Sequence, residues 1–144
     1  ARLAPDLPKI LGDPTQLRQV IHNLVKNAQE ATEKVAAAQI EIVTERIERA
    51  DGGIAVRASI SDNGGGFPEA ALARVFEPYV TSKARGTGLG LAIVRKIIDE
   101  HGARIEVGNL HDAQGEPVGA RIVVLFTKLA KSGENRRLAE AQHD

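Results

Sequence analysis

Two glycine-rich turns, separated by a polar and basic stretch, constrain this chain more than any other feature. The first is Asp62-Asn63-Gly64-Gly65-Gly66-Phe67-Pro68. The second is Gly86-Thr87-Gly88-Leu89-Gly90-Leu91, which continues into Ala92-Ile93-Val94. Between them lies Thr81-Ser82-Lys83-Ala84-Arg85. Glycine lets backbone approach a ligand closely and take positive φ. The second turn opens an apolar helical pattern, so free N–H groups and the positive end of a helix dipole stand beside its glycines, a ready anion site. The pair reads as a nucleotide pocket in which Asp62 meets the base and the 83–90 loop covers the phosphates.

Composition narrows the alternatives. At 144 residues with 42% apolar and 26% charged residues, the chain reads as one soluble globular domain. Its formal net charge is zero, which favours neither nucleic acid nor a membrane surface as partner. Without cysteine it has no disulfide and no thiolate chemistry. No apolar run is long enough to span a membrane, and no signal peptide is visible. The chain opens on Ala1-Arg2-Leu3 without methionine, as a piece cut from a longer protein would. With three Phe, one Tyr and no Trp or Met, the core must be built from Ile, Val, Leu and Ala.

Residues 1–8 read as an extended lead-in, and Lys9-Ile10-Leu11-Gly12 as a brief edge strand. Asp13 is a good N-cap, Pro14 suits the first helical position, and Gln16 stands three after the cap, as in a capping box. Leu17, Val20, Ile21, Leu24, Val25, Ala28 and Ala31 follow at helical spacing and predict an amphipathic helix to about Ala37. Asn23, Asn27 and Glu30 share one face of it, roughly 110–120° from the apolar centre. Such a stripe is either a solvated face or the edge of a pocket.

Gln39 to Ile47 predicts a strand with one slip in phase, and Ile54 to Ile60 a returning strand, joined as an antiparallel hairpin with its tip at Arg49 to Gly53. Pro68 to Phe76 allows a short helix, and Phe76-Glu77-Pro78-Tyr79 a small apolar anchor. Thr81 to Thr87 lacks apolar periodicity and reads as a lid that orders on nucleotide, with Gly86 and Gly88 as hinges. A helix is expected from Gly88 to His101, closed by Gly102. Strands are expected at Arg104–Val107 and Val118–Phe126, with a turn-rich connection over Asn109–Pro117. The predicted fold is α/β, a two-layer sandwich whose mixed, mostly antiparallel sheet is covered on one face by helices. The domain spans residues 1–127, and 128–144 form a polar, flexible tail.

Four motifs in order resemble the catalytic, ATP-binding domain of sensor histidine kinases. Asn23-Leu24-Val25-Lys26-Asn27-Ala28 resembles the N box and Asp62-Asn63-Gly64-Gly65-Gly66 the G1 box. Phe76-Glu77-Pro78-Tyr79 resembles the F box and Gly86-Thr87-Gly88-Leu89-Gly90-Leu91 the G2 box. Gly119-Ala120 is a weaker match to the last glycine box. The wording of Phe76 to Ile98 is most similar to the nitrogen-regulation branch, NtrY-type kinases in particular. The resemblance implies the Bergerat fold shared with type II topoisomerase, Hsp90 and MutL ATPases. It also implies phosphoryl transfer from ATP to a histidine, and from there to an NtrX-like response regulator.

On these positions the resemblance makes Asn27 the Mg²⁺ ligand, with Asn23 beside it near the phosphates. Asp62 accepts from the adenine amino group, and Gly64 and Gly66 let the base lie against backbone. Glu30 and Phe67 line the pocket. Gly86, Thr87, Gly88, Leu89, Gly90 and Leu91 form the turn over the phosphates, where Lys83 and Arg85 offset γ-phosphate charge. A neutral Asn is enough for Mg²⁺ when a polyphosphate supplies the remaining ligands. A carboxylate at Asp62 suits adenine, because guanine would present a carbonyl there. In related ATPases a Glu that activates water stands where this chain has Asn23, so slow hydrolysis is expected.

His22, His101, His111 and His143 are not in a phosphoacceptor context and read as surface or helix-end residues, so the accepting histidine is expected on a separate dimerisation domain of the same protein. The fragment itself is expected to be a monomer, and its parent a membrane-anchored sensor with this domain in the cytoplasm. Rival readings fit less well. A dinucleotide fold needs G-x-G-x-x-G after a strand, and no P-loop occurs. Plain turns in an interaction module explain each motif singly but not four in order. An ATPase of the MutL or gyrase kind, or an anti-sigma-factor serine kinase, keeps the fold and changes the task.

Overall fold

The computed structural model describes residues 2–3, 7, 10–76 and 90–129. The helix expected after Asp13 is α1, Pro14–Ala31. Asp13 Oδ1 accepts the N–H groups of Thr15 (2.9 Å) and Gln16 (3.4 Å), filling two orphan donors of the first turn. The reciprocal half of a capping box is not made by Gln16: the Asp13 N–H donates instead to His101 Nε2 at 3.0 Å. The helix was expected to reach about Ala37 but ends at Ala31, and Thr32 supplies the reason. Its hydroxyl donates to the carbonyls of Ala28 (2.9 Å) and Gln29 (3.3 Å). Gln29 O is the acceptor that the Glu33 N–H would need in a further turn, and that N–H goes to Glu30 O instead.

The next two strands, β2 (Ile40–Glu48) and β3 (Ile54–Asp62), pair antiparallel from Ile40↔Asp62 to Glu48↔Ile54. The register contains no slip. The sequence alternation shifts because both sheet faces carry apolar residues. Ile40 and Ile42 pack toward the helices with Val56, Ala58 and Ile60, while Val43 and Ile47 lie on the other face opposite Ser59 and Ala55. The hairpin closes through Arg49 N–H to Gly53 O at 2.8 Å. A short helix, α2 (Glu69–Leu72), follows Pro68.

The second long helix, α3, covers Gly90–Glu100. It ends as expected at Gly102 (φ 62), with Ala103 N–H on Ile98 O and Gly102 N–H on Asp99 O, which satisfies two last-turn carbonyls. The strand after it, β4, runs Arg104–His111 rather than stopping at Val107. Its pairing with β5 (Pro117–Phe126) continues through Asn109↔Ala120 and is disturbed only at Leu110/His111. The connection is therefore shorter than expected, and Asp112 Oδ1 organises it by accepting the N–H groups of Gln114 and Glu116. In the lead-in, β1 is Arg2–Leu3, parallel to β2. Of the edge strand expected over Lys9–Gly12, the described residues show one bridge, Ile10 to Leu129, and the Leu11 N–H to Lys128 O bond.

Among the described residues the sheet order is β1-β2-β3-β5-β4, antiparallel except at β1, with α1 and α3 packed on one face. This is the expected α/β two-layer sandwich. The core joins Val20, Leu24 and Ala28 of α1 to Val94, Ile97 and Ile98 of α3, over Val56, Ile60, Ile122, Val124 and Phe126. It is aliphatic apart from Phe126, as the composition requires. The two helices run antiparallel: Asp13 meets His101 at one end, and Asn23 Nδ2 donates to Gly90 O (3.4 Å) at the other. His101 was expected to be an ordinary helix-end residue, but it is half-buried and bridges the helices. Because Nε2 accepts from a main-chain N–H, the ring proton sits on Nδ1, which donates to Ile97 O at 2.7 Å.

Candidate functional site

Asp62 is the last residue of β3 and faces the helices, since it continues the series Val56, Ala58, Ile60. Its side chain is buried at 7% exposure, and Oδ1 accepts the Gly64 N–H at 2.9 Å. A buried carboxylate ordinarily needs partners, and the Gly64 N–H serves Oδ1. The register places Ile40, Asp62, Ala120 and Asn109 in one row across four strands on the helix-facing side. Ala120 is small and buried, so only a methyl group stands between the Asp62 and Asn109 positions of this row.

The chain leaves β3 at Asp62, crosses the end of β5 and reaches β4 at Phe67. Three glycines make this crossing fit. A Cβ on Gly64 would collide with the Ala31 carbonyl at the end of α1, and one on Gly119 with the Asp62 carbonyl. Gly66 has φ 77, and a Cβ there would stand 2.8 Å from Asn109 Oδ1. Two side-chain amides fasten the turn. Asn63 accepts the Gln39 N–H and donates to Ala37 O, both at 2.8 Å. Asn109 accepts the Phe67 N–H and donates to Phe67 O, both at 2.7 Å.

The opposite wall is α1, which touches both glycine regions. Asn23 reaches Gly90 O, where the second glycine box enters α3, and Ala31 packs on Gly64. From Asn23 to Ala31 is about 12 Å of helix. Asn27 and Glu30, both half-buried, lie between these contacts on the same flank. The stripe read from the sequence is therefore half-buried, on the flank of α1 that runs from one glycine region to the other. Asn23 is held at both ends, since its Oδ1 accepts from Gln19 Nε2 at 2.8 Å. Leu91 packs its side chain against the core. Phe76, the first residue of the aromatic box, lies 5.0 Å under the Arg95 guanidinium of α3.

The structure thus brings together Asn23, Asn27, Glu30, Asp62, Gly64, Gly66, Phe67, Gly90 and Leu91. Lys83, Arg85, Gly86, Thr87, Gly88 and Leu89 lie outside the described residues, as do the lid expected at Thr81–Thr87, most of the C-terminal tail and His143. His22 and His111 are exposed, as expected. Two residues that build the site were missed as contributors. Asn109 was assigned to a turn, although the alternation of Ile105 and Val107 continues to it. Ala31 acts through its carbonyl, which no side-chain pattern reports.

Comparison with known proteins identifies the family and the fold. The sequence profile of the family described as histidine kinase-, DNA gyrase B-, and HSP90-like ATPase matches residues 12–131. Sensory histidine kinase/phosphatase NtrB of Rhodobacter capsulatus is 41% identical over 109 residues, 72% of this chain and 31% of NtrB. Nitrogen regulation protein NtrY of Azorhizobium caulinodans is 39% identical over 108 residues, 72% of this chain and 13% of NtrY. These identities do not separate the two nitrogen-regulation branches, and the chain spans less than a third of either relative. A crystal structure of histidine kinase ThkA in complex with response regulator protein TrrA superposes with a TM-score of 0.67 at 31% identity, covering 88% of this chain and 33% of that one. The turn fastened around a buried carboxylate, the helix spanning two glycine boxes and the family match over most of the length lead to one conclusion: the chain belongs to the histidine kinase-, DNA gyrase B- and HSP90-like ATPase family, as a histidine kinase catalytic domain.

Proposed function

We propose that this domain binds Mg·ATP in the cleft between α1 and the Asp62–Phe67 turn and transfers the γ-phosphoryl to a histidine on a separate dimerisation domain of the same protein. The single observation that carries this reading is the placement of Asp62. Its carboxylate is buried, held in direction by the Gly64 N–H, and opens on Ala120. Oδ2 accepts from the adenine amino group, and guanine, with a carbonyl at that position, is disfavoured. Gly64, Gly66 and Phe67 give the base a main-chain wall.

Asn27 fits the role of metal ligand by chemistry and position. It lies along α1 between the base turn and Gly90, and its amide oxygen adds no charge beside a triphosphate. Among the described residues no group of three or more His, Cys, Asp or Glu side chains could hold a metal. A Mg²⁺ ion here would therefore take its other ligands from phosphate and water, as it commonly does. When bound, the ion supplies charge neutralisation at the β- and γ-phosphates. Glu30 lines the same flank. Asn23 steadies Gly90 and has no base to offer water, which is the reason for proposing slow hydrolysis. Gly86, Thr87, Gly88, Leu89, Gly90 and Leu91 offer main-chain N–H groups to the phosphates, with Lys83 and Arg85 as counter-charges. For the residues before Gly90 this rests on the motif alone.

The parent is proposed to be a sensor of the nitrogen-regulation kind with an NtrX-like response regulator as final acceptor. NtrB and NtrY are the relatives that support this, and ThkA is a kinase seen with its response regulator. No helix among the described residues is long and apolar enough to cross a membrane. We place the domain on the cytoplasmic side of a membrane-anchored parent, as an isolated monomer when separated from it.

Calorimetric titration with ATP, with and without Mg²⁺ and with GTP in parallel, tests the reading. Binding selective for adenine, weaker without Mg²⁺ and abolished in Asp62→Ala, is the expected result. Equal affinity for ATP and GTP would remove Asp62 from the base-reading role. Phosphotransfer to a separately prepared histidine-bearing dimerisation domain then tests the catalytic step.

A further inference from the structure

The Asp62–Phe67 turn leaves the sheet and must cross from β3 to β4 without a strand to pair with. Both main-chain polar groups of Phe67 are nevertheless satisfied, and by one side chain. Asn109 accepts the Phe67 N–H and donates to the Phe67 carbonyl, each at 2.7 Å. The amide thereby imitates the paired N–H and C=O of a neighbouring strand. It also stands where a side chain on residue 66 would be, 2.8 Å from a Cβ built on Gly66. Its own position is fixed by the register, since Asn109 pairs with Ala120 and Ala120 with Asp62. One row of the sheet therefore carries both the carboxylate and the anchor of the turn, with buried Ala120 between them.

We propose that Asn109 is a positioning residue for adenine selection: its amide sets the distance between the Phe67 end of the turn and the Asp62 carboxylate, and with it the width of the base slot. The proposal rests on the reading of Asp62 as the adenine acceptor. Asn109 needs no contact with nucleotide for this role. Its chemistry is specific, because the site requires one acceptor and one donor in a plane. Asp at this position keeps the acceptor for the Phe67 N–H but sets an oxygen against the Phe67 carbonyl. It also adds a negative charge across Ala120 from Asp62. Ala leaves both Phe67 groups without their partner.

The test uses the whole 144-residue chain in four forms: wild type, Asn109→Asp, Asn109→Ala and, as a control on the same hairpin, Asp112→Ala. Asp112 holds the β4–β5 turn through the Gln114 and Glu116 N–H groups. Affinity for ATP and GTP is measured by calorimetry, and folding by urea denaturation. Both Asn109 variants are expected to lose about tenfold in ATP affinity, the scale of one hydrogen bond lost at a half-buried site. The ATP-to-GTP ratio should fall with it, while the unfolding transition remains cooperative. Asp112→Ala should lower the unfolding midpoint and leave the ratio unchanged. An Asn109→Asp protein with wild-type ATP affinity and selectivity, in a domain where Asp62→Ala abolishes binding, would overturn the proposal and leave the nucleotide reading intact. An equal loss of selectivity in Asp112→Ala would overturn it as well, since general loosening of the hairpin would then suffice. A wild-type chain that binds neither nucleotide would overturn the reading of the pocket and this inference with it.

Discussion

The two ends of α1 are held by different means. At its start, side chains do the holding: Asp13 caps the first turn, and the His101 ring takes the cap's own N–H. At its finish, where the Thr32 hydroxyl closes the last turn, the contact with the rest of the fold is main chain on main chain, because the Ala31 carbonyl packs where Gly64 carries no side chain. The first arrangement consists of hydrogen bonds that could be lost one at a time. The second admits no added atom. The first lies away from the proposed nucleotide site, while the second borders it. Stability and ligand geometry are thus separated along a single helix, and substitutions at its two ends should have different signatures.

The largest effect is expected from Gly64→Val. Its added methyl groups must displace the end of α1, costing about 2–3 kcal/mol of unfolding free energy by overpacking and abolishing ATP binding in calorimetry. Wild-type affinity in that variant would mean the close approach does not shape the slot. At the other end, His101→Ala removes the acceptor of the Asp13 N–H and the ring bond to the Ile97 carbonyl, which keeps the main-chain N–H of residue 101. A loss of about 1–3 kcal/mol is expected, read by urea denaturation, with the ATP dissociation constant unchanged. Asp13→Ala should cost about 1 kcal/mol by loss of the cap, again without effect on affinity. A marked loss of affinity in either variant would show that the two ends are coupled through the helix. The smallest effect is expected from Arg95→Gln, which loses an exposed pair with Asp99 and the contact over Phe76. Less than about 1 kcal/mol should separate it from wild type in the same denaturation assay.

The same contrast explains what could be read in advance. Asp13, Pro14 and Gly102 obey local capping rules, so both helix ends they mark were legible without knowledge of distant contacts. The aliphatic stripe of α1 and the alternation of β3 were legible for a similar reason, since a few neighbouring residues determine them. The clustering of Asn23, Asn27, Asp62 and the glycines came from motif order, which stands in for a distance that no local rule supplies. What escaped was settled by tertiary partners. Thr32 stops the helix through a hydroxyl competing for carbonyls, in a segment whose alanines favour continuation. Val43 and Ile47 looked out of phase because the sheet has two apolar faces. His101 gained its role from a residue at the far end of the chain, and Asn109 from a loop that precedes it by a whole helix and more.

The sheet order carries a kinetic consequence. Strand β3 is zipped to β2 across a tight hairpin, a short loop closure that forms early. The other edge of β3 waits for β5, which is synthesised much later and must insert between β3 and β4. Gly119 reaches the Asp62 carbonyl, and Asn109 reaches Phe67, only after that insertion. A half-folded chain with its first hairpin in place therefore has Asp62 but no slot around it. Nucleotide would bind only the finished sheet, so saturating ATP should slow unfolding without hastening the first steps of folding.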